Sequence, residues 1–286
     1  MPDDGQPTSH SIEIRGLNLH YLDWGNESAT PLLLLHGLSG AAADWLRIAE
    51  HFRETYHVIA LDQRGHGESD HAPDHAYATD DFVADLEAFV AAIELDRFIL
   101  CGHSMGGHNT MAYTARHPEQ VICALANDIP PSMERDPAWT SDVPEGVQPV
   151  FASKEAWIEN RREGSPFTPE LHHRLMADAR LKQVGGGYQP KSDANAQHYW
   201  APTDLWDEIA TIERPIFFVR GGQSRVLDAE TVKKMIFTIE PARSIGLEQS
   251  GHSTYMDMEK EFLSASSQFF AGHTAPVASP ADSSGE

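Results

Sequence analysis

The sequence predicts an α/β fold in which a doubly wound, mostly parallel sheet carries an inserted, mainly helical cap. Short apolar runs of strand length alternate along the chain with amphipathic helical segments, as in a sheet that helices cover on both faces. A serine between glycines, in residues 102–106, stands directly after one such run and directly before a helical segment. The alternation then stops over residues 129–205, which is too long a connection for a loop.

The predicted core begins with a hairpin and continues as alternating strands and helices. Residues 11–15 and 17–21 alternate apolar and polar side chains across a glycine, which predicts an antiparallel hairpin at a sheet edge. Residues 80–93 carry apolar side chains at helical spacing. The short apolar runs that predict buried parallel strands are 32–35, 58–61, 98–101, 121–126 and 216–219. Their alternation with helices indicates right-handed crossovers.

The cap is predicted from residues 129–205. This segment contains helical stretches near 154–163 and 169–181, and three consecutive glycines at 185–187 that predict a turn. A segment inserted here lies over the carboxyl ends of the parallel strands, where ligands bind in such sheets.

Domain boundaries follow from the same pattern. The predicted core comprises 11–128 and 206–271, with the cap, 129–205, between them. The two ends, 1–10 and 272–286, are rich in Pro, Ser, Asp, Ala and Gly without periodicity, so we expect them to be disordered tails.

Composition and charge narrow the classes of function. The chain has 43 acidic against 21 basic side chains and a formal net charge of −22, so no nucleic-acid partner is expected. No apolar stretch reaches the roughly 18 residues of a membrane span, and the N-terminus does not resemble a secretory signal. Cys101 and Cys123 lie in apolar runs, which indicates buried thiols. We therefore expect a cytoplasmic protein, monomeric or homodimeric, that acts on a small molecule and has no membrane partner.

Ser104 is the candidate nucleophile. It is the central residue of the G-x-S-x-G pattern at 102–106, between a predicted strand and a predicted helix. A serine in that sharp turn exposes its hydroxyl at the carboxyl edge of the sheet. A histidine that follows a glycine, His252, supplies a candidate base near the end of the chain.

Four motifs in order give the chain a resemblance to the lid-bearing α/β-hydrolase superfamily. They are residues 32–40, 62–69, 102–107 and 251–252. The resemblance implies a fold of the α/β-hydrolase type in which Ser104 becomes acylated and His252 transfers the proton. It also implies that the backbone N–H groups of Leu38 and Met105 form the oxyanion hole.

The acid member of the expected triad departs from the common pattern of that superfamily. A carboxylate ordinarily follows the strand after the cap, but Ser224 occupies that position here. Asp128, at the end of the strand after the nucleophile helix, is the favoured replacement, because some members supply their acid from that site. Asp228 is the competing candidate and also suits the start of a helix. A triad without a carboxylate is the third alternative, and Asp257 is expected to be a structural residue.

Candidate pocket and metal-binding residues lie in the predicted cap. Trp157, Tyr199 and Trp200 are candidates to line an apolar substrate pocket, the alternative being that they form the core of the cap itself. The adjacent His172 and His173 point about 100° apart on a helix, so we expect solvent-exposed histidines rather than a metal site. No metal and no other cofactor is expected.

The activity implied by the resemblance is that of a serine hydrolase, carboxylesterase-like, which cleaves a small carboxylic ester or amide through an acyl-serine intermediate. Residues 219–221, Ser224 and Asp128 also look like those of bacterial carboxylesterase-like and (E)-2-(acetamidomethylene)succinate hydrolase-like members. A C–C or enamide hydrolase and a cofactor-free perhydrolase use the same triad and remain alternatives. Outside the enzymes, the alternative is an α/β-hydrolase-like ligand receptor.

Overall fold

An eight-stranded sheet forms the centre of the computed structural model, which describes residues 5–133 and 145–274. The spatial order of its strands is β1-β2-β4-β3-β5-β6-β9-β10. In chain order these strands are β1 (Thr8–Ile14), β2 (Leu17–Asp23), β3 (Pro31–Leu35), β4 (His57–Leu61), β5 (Phe98–His103), β6 (Val121–Asn127), β9 (Ile216–Gly221) and β10 (Ala242–Leu247). Strands β1 and β2 are antiparallel to their neighbours, and the other pairings are parallel. The predicted fold class is confirmed, including the antiparallel hairpin at one edge.

Helices cover both faces of this sheet because its central strands present apolar side chains on both sides. In β3, Leu33 and Leu35 belong to one hydrophobic cluster, and Leu32 and Leu34 belong to the other. The first cluster contains side chains of α2 (Thr79–Ala92), α3 (Met105–Arg116) and α8 (Ala229–Thr238). The second contains side chains of α1 (Leu46–Phe52), α9 (Thr254–Asp257) and α10 (Glu259–Thr274). A 3₁₀ turn, Ala42–Trp45, precedes α1.

The segment between β6 and β9 contains both helices and a hairpin. Its helices are α4 (Lys154–Arg162), α5 (Glu170–Arg180), α6 (Ala194–Tyr199) and α7 (Trp206–Ile209). A separate two-stranded sheet, β7 (Leu181–Val184) and β8 (Gly187–Pro190), adds strand structure to a region predicted as mainly helical. Its turn contains Gly186, with φ of 99°. Residues 134–144 of the predicted cap lie outside the described residues.

Both predicted tails were placed a few residues too far into the chain. Strand β1 begins at Thr8, because residues 8–10 pair with β2, and α10 continues to Thr274. The rest of the tails, 1–4 and 275–286, lies outside the described residues. Within residues 5–133 and 145–274, no helix combines the length and the apolar character that crossing a bilayer requires.

The register of the parallel strands brings four strand ends to one edge of the sheet. Leu35 pairs with Gly102, His103 pairs with Asn127, and Asn127 pairs with Val219. The residues that follow β3, β5, β6 and β9 therefore lie side by side, and the candidate site is built from them and from the loop after β10, whose last residue, Leu247, pairs with Gly221.

Candidate active site

Ser104 lies in a sharp turn between β5 and α3. Its backbone has φ of 52° and ψ of −120°, a conformation that costs energy for a residue with a side chain. Glycine neighbours make the turn possible: a Cβ on Gly102 would lie 2.1 Å from the carbonyl oxygen of Gly106. A Cβ on Gly106 would lie 2.4 Å from the carbonyl oxygen of Leu35. The two glycines of the motif thus allow the backbone to approach closely enough to present the serine.

His252 and Asp128 form a hydrogen-bonded pair beside this turn. The ring Nδ1 of His252 donates to Oδ2 of Asp128 over 2.7 Å. Asp128 is fully buried, whereas the His252 side chain is 35% exposed. Because an ionised carboxylate only accepts hydrogen bonds, this contact puts the ring proton on Nδ1 and leaves Nε2 free to act as a base.

Further donors hold the Asp128 carboxylate in place. The backbone N–H of Gly221 donates to Oδ1 over 2.9 Å, and the Ser224 hydroxyl donates to Oδ2. Ser224, at the position where the acid ordinarily lies, therefore contacts Asp128, the candidate that the sequence favoured as its replacement. Asp228 lies elsewhere: it is the N-cap of α8 and accepts a hydrogen bond from the backbone N–H of Thr231 over 2.8 Å.

The two residues predicted to form the oxyanion hole lie in the loop after β3 and directly after Ser104. Met105 is the first residue of α3, so its N–H has no acceptor within the helix. Leu38 lies in the loop after β3 and lines the same cavity as Ser104. Its neighbour Gly37 packs directly against the serine, since a Cβ on Gly37 would lie 3.1 Å from the Ser104 Cβ. The loop that carries Leu38 therefore packs beside Ser104, and the oxyanion hole remains a prediction.

Ser104 and His252 both line a cavity of about 710 Å³. The core side of its wall includes Leu38 and Ile129. The cap side includes residues 163–168 and Trp200. This arrangement places the serine and the histidine in a space large enough for a small organic molecule.

Only one of the three predicted pocket aromatics lines this cavity. Trp200 does so and is 3% exposed. Trp157 is buried in the hydrophobic cluster shared with α1 and α10, and its ring packs against the Arg161 guanidinium at 5.0 Å. Tyr199 points outward, is 38% exposed, and stacks on His75 with ring centroids 4.6 Å apart. The prediction of Trp157 and Tyr199 as pocket residues was wrong, because proximity in sequence does not fix side-chain direction.

The cavity wall contains a guanidinium that has no ion-pair partner among the described residues. Arg161, in the last turn of α4, forms no ion pair with any described carboxylate, and its Nε is buried without a hydrogen-bond partner. Burial and the neighbouring Arg180 lower the pKa of Arg161 to about 10, so it stays charged at neutral pH. Arg180 itself is paired in a bidentate contact with Asp44, both distances being 2.8 Å. An anionic group in the cavity could pair with Arg161.

Two side chains support the His252 loop: His103, which sequence reasoning missed, and Asp257, which it expected only to be a structural residue. His103, the variable residue before Ser104, donates a ring N–H to the His252 carbonyl oxygen over 3.0 Å. Burial and the nearby His252 lower the pKa of His103 well below its ordinary value, so it is neutral. Asp257 is the last residue of α9 and accepts a hydrogen bond from the Gly251 N–H over 2.8 Å. Only the G-x-S-x-G motif itself could have drawn attention to His103.

The adjacent cap histidines are buried rather than solvent-exposed, which corrects the expectation from sequence. His172 and His173 are 5% and 2% exposed, because the inner face of α5 packs against the rest of the protein. His172 contacts Glu259 at 2.9 Å, and burial lowers the pKa of both histidines. Among the described residues, no group of three or more His, Cys, Asp or Glu side chains is arranged to hold a metal ion.

Comparisons with known proteins agree on the fold and differ in activity. A family model described as alpha/beta hydrolase fold matches residues 30–258. The chain is 33% identical over 259 residues to an N-formylmaleamate deformylase of Pseudomonas putida, covering 91% of this chain and 95% of that protein. It is 28% identical over 233 residues to a 2-(acetamidomethylene)succinate hydrolase of Mesorhizobium japonicum, covering 79% and 82%. A solved structure of an E-2-(acetamidomethylene)succinate hydrolase superposes with a TM-score of 0.84 at 24% identity, over 92% of this chain and 99% of that one, and shows a shared fold.

Proposed function

The chain belongs to the alpha/beta hydrolase fold family, and from that premise we propose that it hydrolyses a small carboxylic ester or amide through an acyl-serine intermediate on Ser104. The observation that carries the proposal is the hydrogen bond between His252 Nδ1 and the buried Asp128 carboxylate. It leaves the imidazole in the tautomer that can accept the serine proton.

The proposed reaction has two halves. Ser104 Oγ attacks the carbonyl carbon while His252 Nε2 takes its proton, and the N–H groups of Leu38 and Met105 stabilise the oxyanion. His252 then protonates the leaving oxygen or nitrogen, the C–O or C–N bond breaks, and the acyl group remains on Ser104. A water molecule, deprotonated by His252, attacks the acyl carbon, and the acid product leaves as the serine recovers its proton.

A fluorophosphonate probe tests the nucleophile. We expect one adduct per chain, which peptide mass spectrometry locates on Ser104, and no measurable esterase activity in Ser104→Ala. Ser264→Ala is the control, since Ser264 is exposed on α10 and does not line the cavity, so this variant should keep full labelling and full activity. An adduct on another residue, or normal turnover in Ser104→Ala, would contradict the proposal. Labelling without turnover of any ester or amide would favour the ligand-receptor alternative.

We further propose that the substrate carries a carboxylate that pairs with Arg161. Arg161 is partly buried, its Nε fully so, and a cation in such a place without an ion pair among the described carboxylates is costly; a substrate carboxylate would supply a bidentate partner. The names of the Pseudomonas and Mesorhizobium relatives denote molecules that contain both an amide and a carboxylate. Two other described cap arginines do not line the cavity: Arg162 pairs with Glu159 and Glu170, and Arg174 contacts Glu170 at 3.2 Å.

Two chromogenic esters of equal chain length test this preference, one ending in a carboxylate and one in a methyl group. We expect wild-type protein to prefer the charged ester. Arg161→Met should lower kcat/KM for the charged ester by about 10- to 100-fold, the range of a lost charged hydrogen bond. The neutral ester should be cleaved at an unchanged or higher rate. Arg174→Gln is the matched control and should change neither rate, because that side chain is 71% exposed. Equal losses on both esters in Arg161→Met would contradict the assignment.

A further inference from the structure

The carboxylate of Asp257 connects the cap to the loop that carries His252. Asp257 lines the cavity at the end of α9. Its Oδ2 accepts hydrogen bonds from the Gly251 N–H over 2.8 Å and from the Ser250 hydroxyl over 3.3 Å. Its Oδ1 accepts a hydrogen bond from the hydroxyl of Thr168, a cap residue, over 2.6 Å. One side chain thus joins the backbone directly before His252 to the cap.

Gly251 is packed between the sheet and the cap at the same point. On the sheet side, a Cβ on Gly221 would lie 1.9 Å from the Gly251 carbonyl oxygen, and the Gly221 N–H donates to Asp128. On the cap side, a Cβ on Gly251 would lie 3.1 Å from the Phe167 ring. Because Gly251 directly precedes His252, a shift of the cap at Phe167 or Thr168 changes the position of the imidazole.

The hydrogen bonds of Asp257 offset part of the free-energy cost of burying its charged carboxylate. Burial raises the pKa of this carboxyl, while donors on Thr168, Gly251 and Ser250 oppose that change by stabilising the charged form. Thr168 is itself buried, with 8% of its surface exposed. Removing its hydroxyl would leave one carboxylate oxygen buried with a lost partner, so the carboxylate would move or draw in water.

We propose that Asp257 and Thr168 are positioning residues, which hold His252 in place for proton transfer while the cap is seated over the cavity. The cap hydroxyl fixes the carboxylate, and the carboxylate fixes the Gly251 N–H. Alignment of the base is thereby coupled to enclosure of the substrate. This inference rests on the proposed function, because the pair has this role only if His252 is the base.

Thr168→Val tests the coupling with a change of one hydroxyl for one methyl group. We expect kcat to fall about tenfold or more with KM changed less than twofold, because small displacements of a catalytic group can cost about 10²-fold. Thr168→Ser keeps the hydroxyl and should stay within twofold of wild type. Thr231→Val is the matched control: its hydroxyl also donates to an aspartate, Asp228, over 2.8 Å, but on α8 and outside the cavity wall. It should keep full activity.

The possible outcomes separate this inference from the proposed function. Wild-type turnover and Ser104 labelling together with a normal kcat in Thr168→Val would overturn the positioning role and leave the hydrolase proposal standing. A raised KM at unchanged kcat would also overturn it, since Thr168 would then be a substrate contact. Absence of labelling in wild-type protein would overturn the hydrolase proposal itself. Thermal melting of each variant establishes that it is folded, and a Thr168→Ser variant as slow as Thr168→Val would contradict the role of the hydroxyl.

Discussion

Replacing Asp128 with asparagine should nearly abolish turnover. The carboxylate oxygen that accepts the His252 Nδ1 proton also accepts the Ser224 hydroxyl proton, and the other oxygen accepts from the Gly221 N–H. An asparagine oxygen can keep the Gly221 contact, but its NH₂ group would then face the imidazole. Because NH₂ donates, His252 would have to accept at Nδ1 and carry its proton on Nε2, the tautomer that cannot take the proton of Ser104.

The expected loss in kcat is about 10⁴-fold, the size associated with a wrong histidine tautomer in such triads. A chromogenic ester at saturating concentration measures kcat, and circular dichroism with thermal melting checks that the variant is folded. Asp228→Asn is the matched control and should cost at most about 0.5 to 2 kcal/mol of stability as a weakened helix cap, with kcat unchanged. An inactive Asp228→Asn beside a normal Asp128→Asn would refute the reasoning.

Ser224→Asp in the Asp128→Asn background extends the same reasoning. The Ser224 hydroxyl already contacts the Oδ2 that binds His252. An aspartate side chain is one covalent bond longer than serine, so a carboxylate at residue 224 would lie close to that oxygen's position. We expect the double variant to recover at least tenfold in kcat over Asp128→Asn. Activity no higher than that of Asp128→Asn would show that residue 224 cannot orient the imidazole.

Three further predictions concern stability and cofactors. Asp44→Ala should lower the free energy of unfolding in urea by about 3 to 5 kcal/mol, because it leaves the Arg180 guanidinium unpaired. Glu50→Ala breaks only the exposed contact with Arg47 and should lower it by less than about 1 kcal/mol. The free energy of unfolding should fall as the pH drops below about 6.5, because the unfolded chain then binds more protons than the folded one. Each histidine that stays neutral when folded contributes about 1.4 kcal/mol per pH unit to this fall. Burial lowers the pKa of several described histidines, among them His66 to about 3, His108 to about 4, and His36 and His103 in the same direction. Urea midpoints that stay constant from pH 7 to pH 5 would contradict this. Exhaustive chelation should leave esterase activity unchanged, and a loss that one particular metal restores would contradict the proposed chemistry.

Local patterns in the sequence were sufficient to predict most of the fold. Buried parallel strands and the G-x-S-x-G turn are encoded by contiguous residues, so they were predicted close to their observed bounds. Strand β10 was not predicted, because its apolar and polar side chains do not alternate regularly. Arg243, Ser244 and Gly246 are exposed, so the strand contains no apolar run. The hairpin of β7 and β8 was missed for a similar reason, since its short strands are half-exposed and lack an apolar run.

Contacts between distant parts of the chain could not be predicted in this way. The hydrogen bond between Thr168 and Asp257 joins residues 89 positions apart, and neither residue belongs to a motif. The sequence places Arg161 in the cap, but it does not show which carboxylates contact it. In the structure the nearby Glu159 and Glu170 both bind Arg162, and Arg161 has no ion pair with a described carboxylate. Side-chain direction within the cap was the information that the sequence lacked.

The position of Asp128 shows how residues on two neighbouring strands can reach the same point beside His252. Strands β6 and β9 are parallel neighbours, with Asn127 paired to Val219, so the residue after β6 and the turn after β9 reach the same point at the sheet edge. Asp128 turns toward that point with φ of 52°, and its N–H remains bonded to the Val219 carbonyl oxygen over 2.8 Å. A carboxylate from either strand can therefore occupy one site beside His252. The geometry calls for a buried, hydrogen-bonded carboxylate at that point, and Ser224, in the turn after β9, donates a hydrogen bond to it.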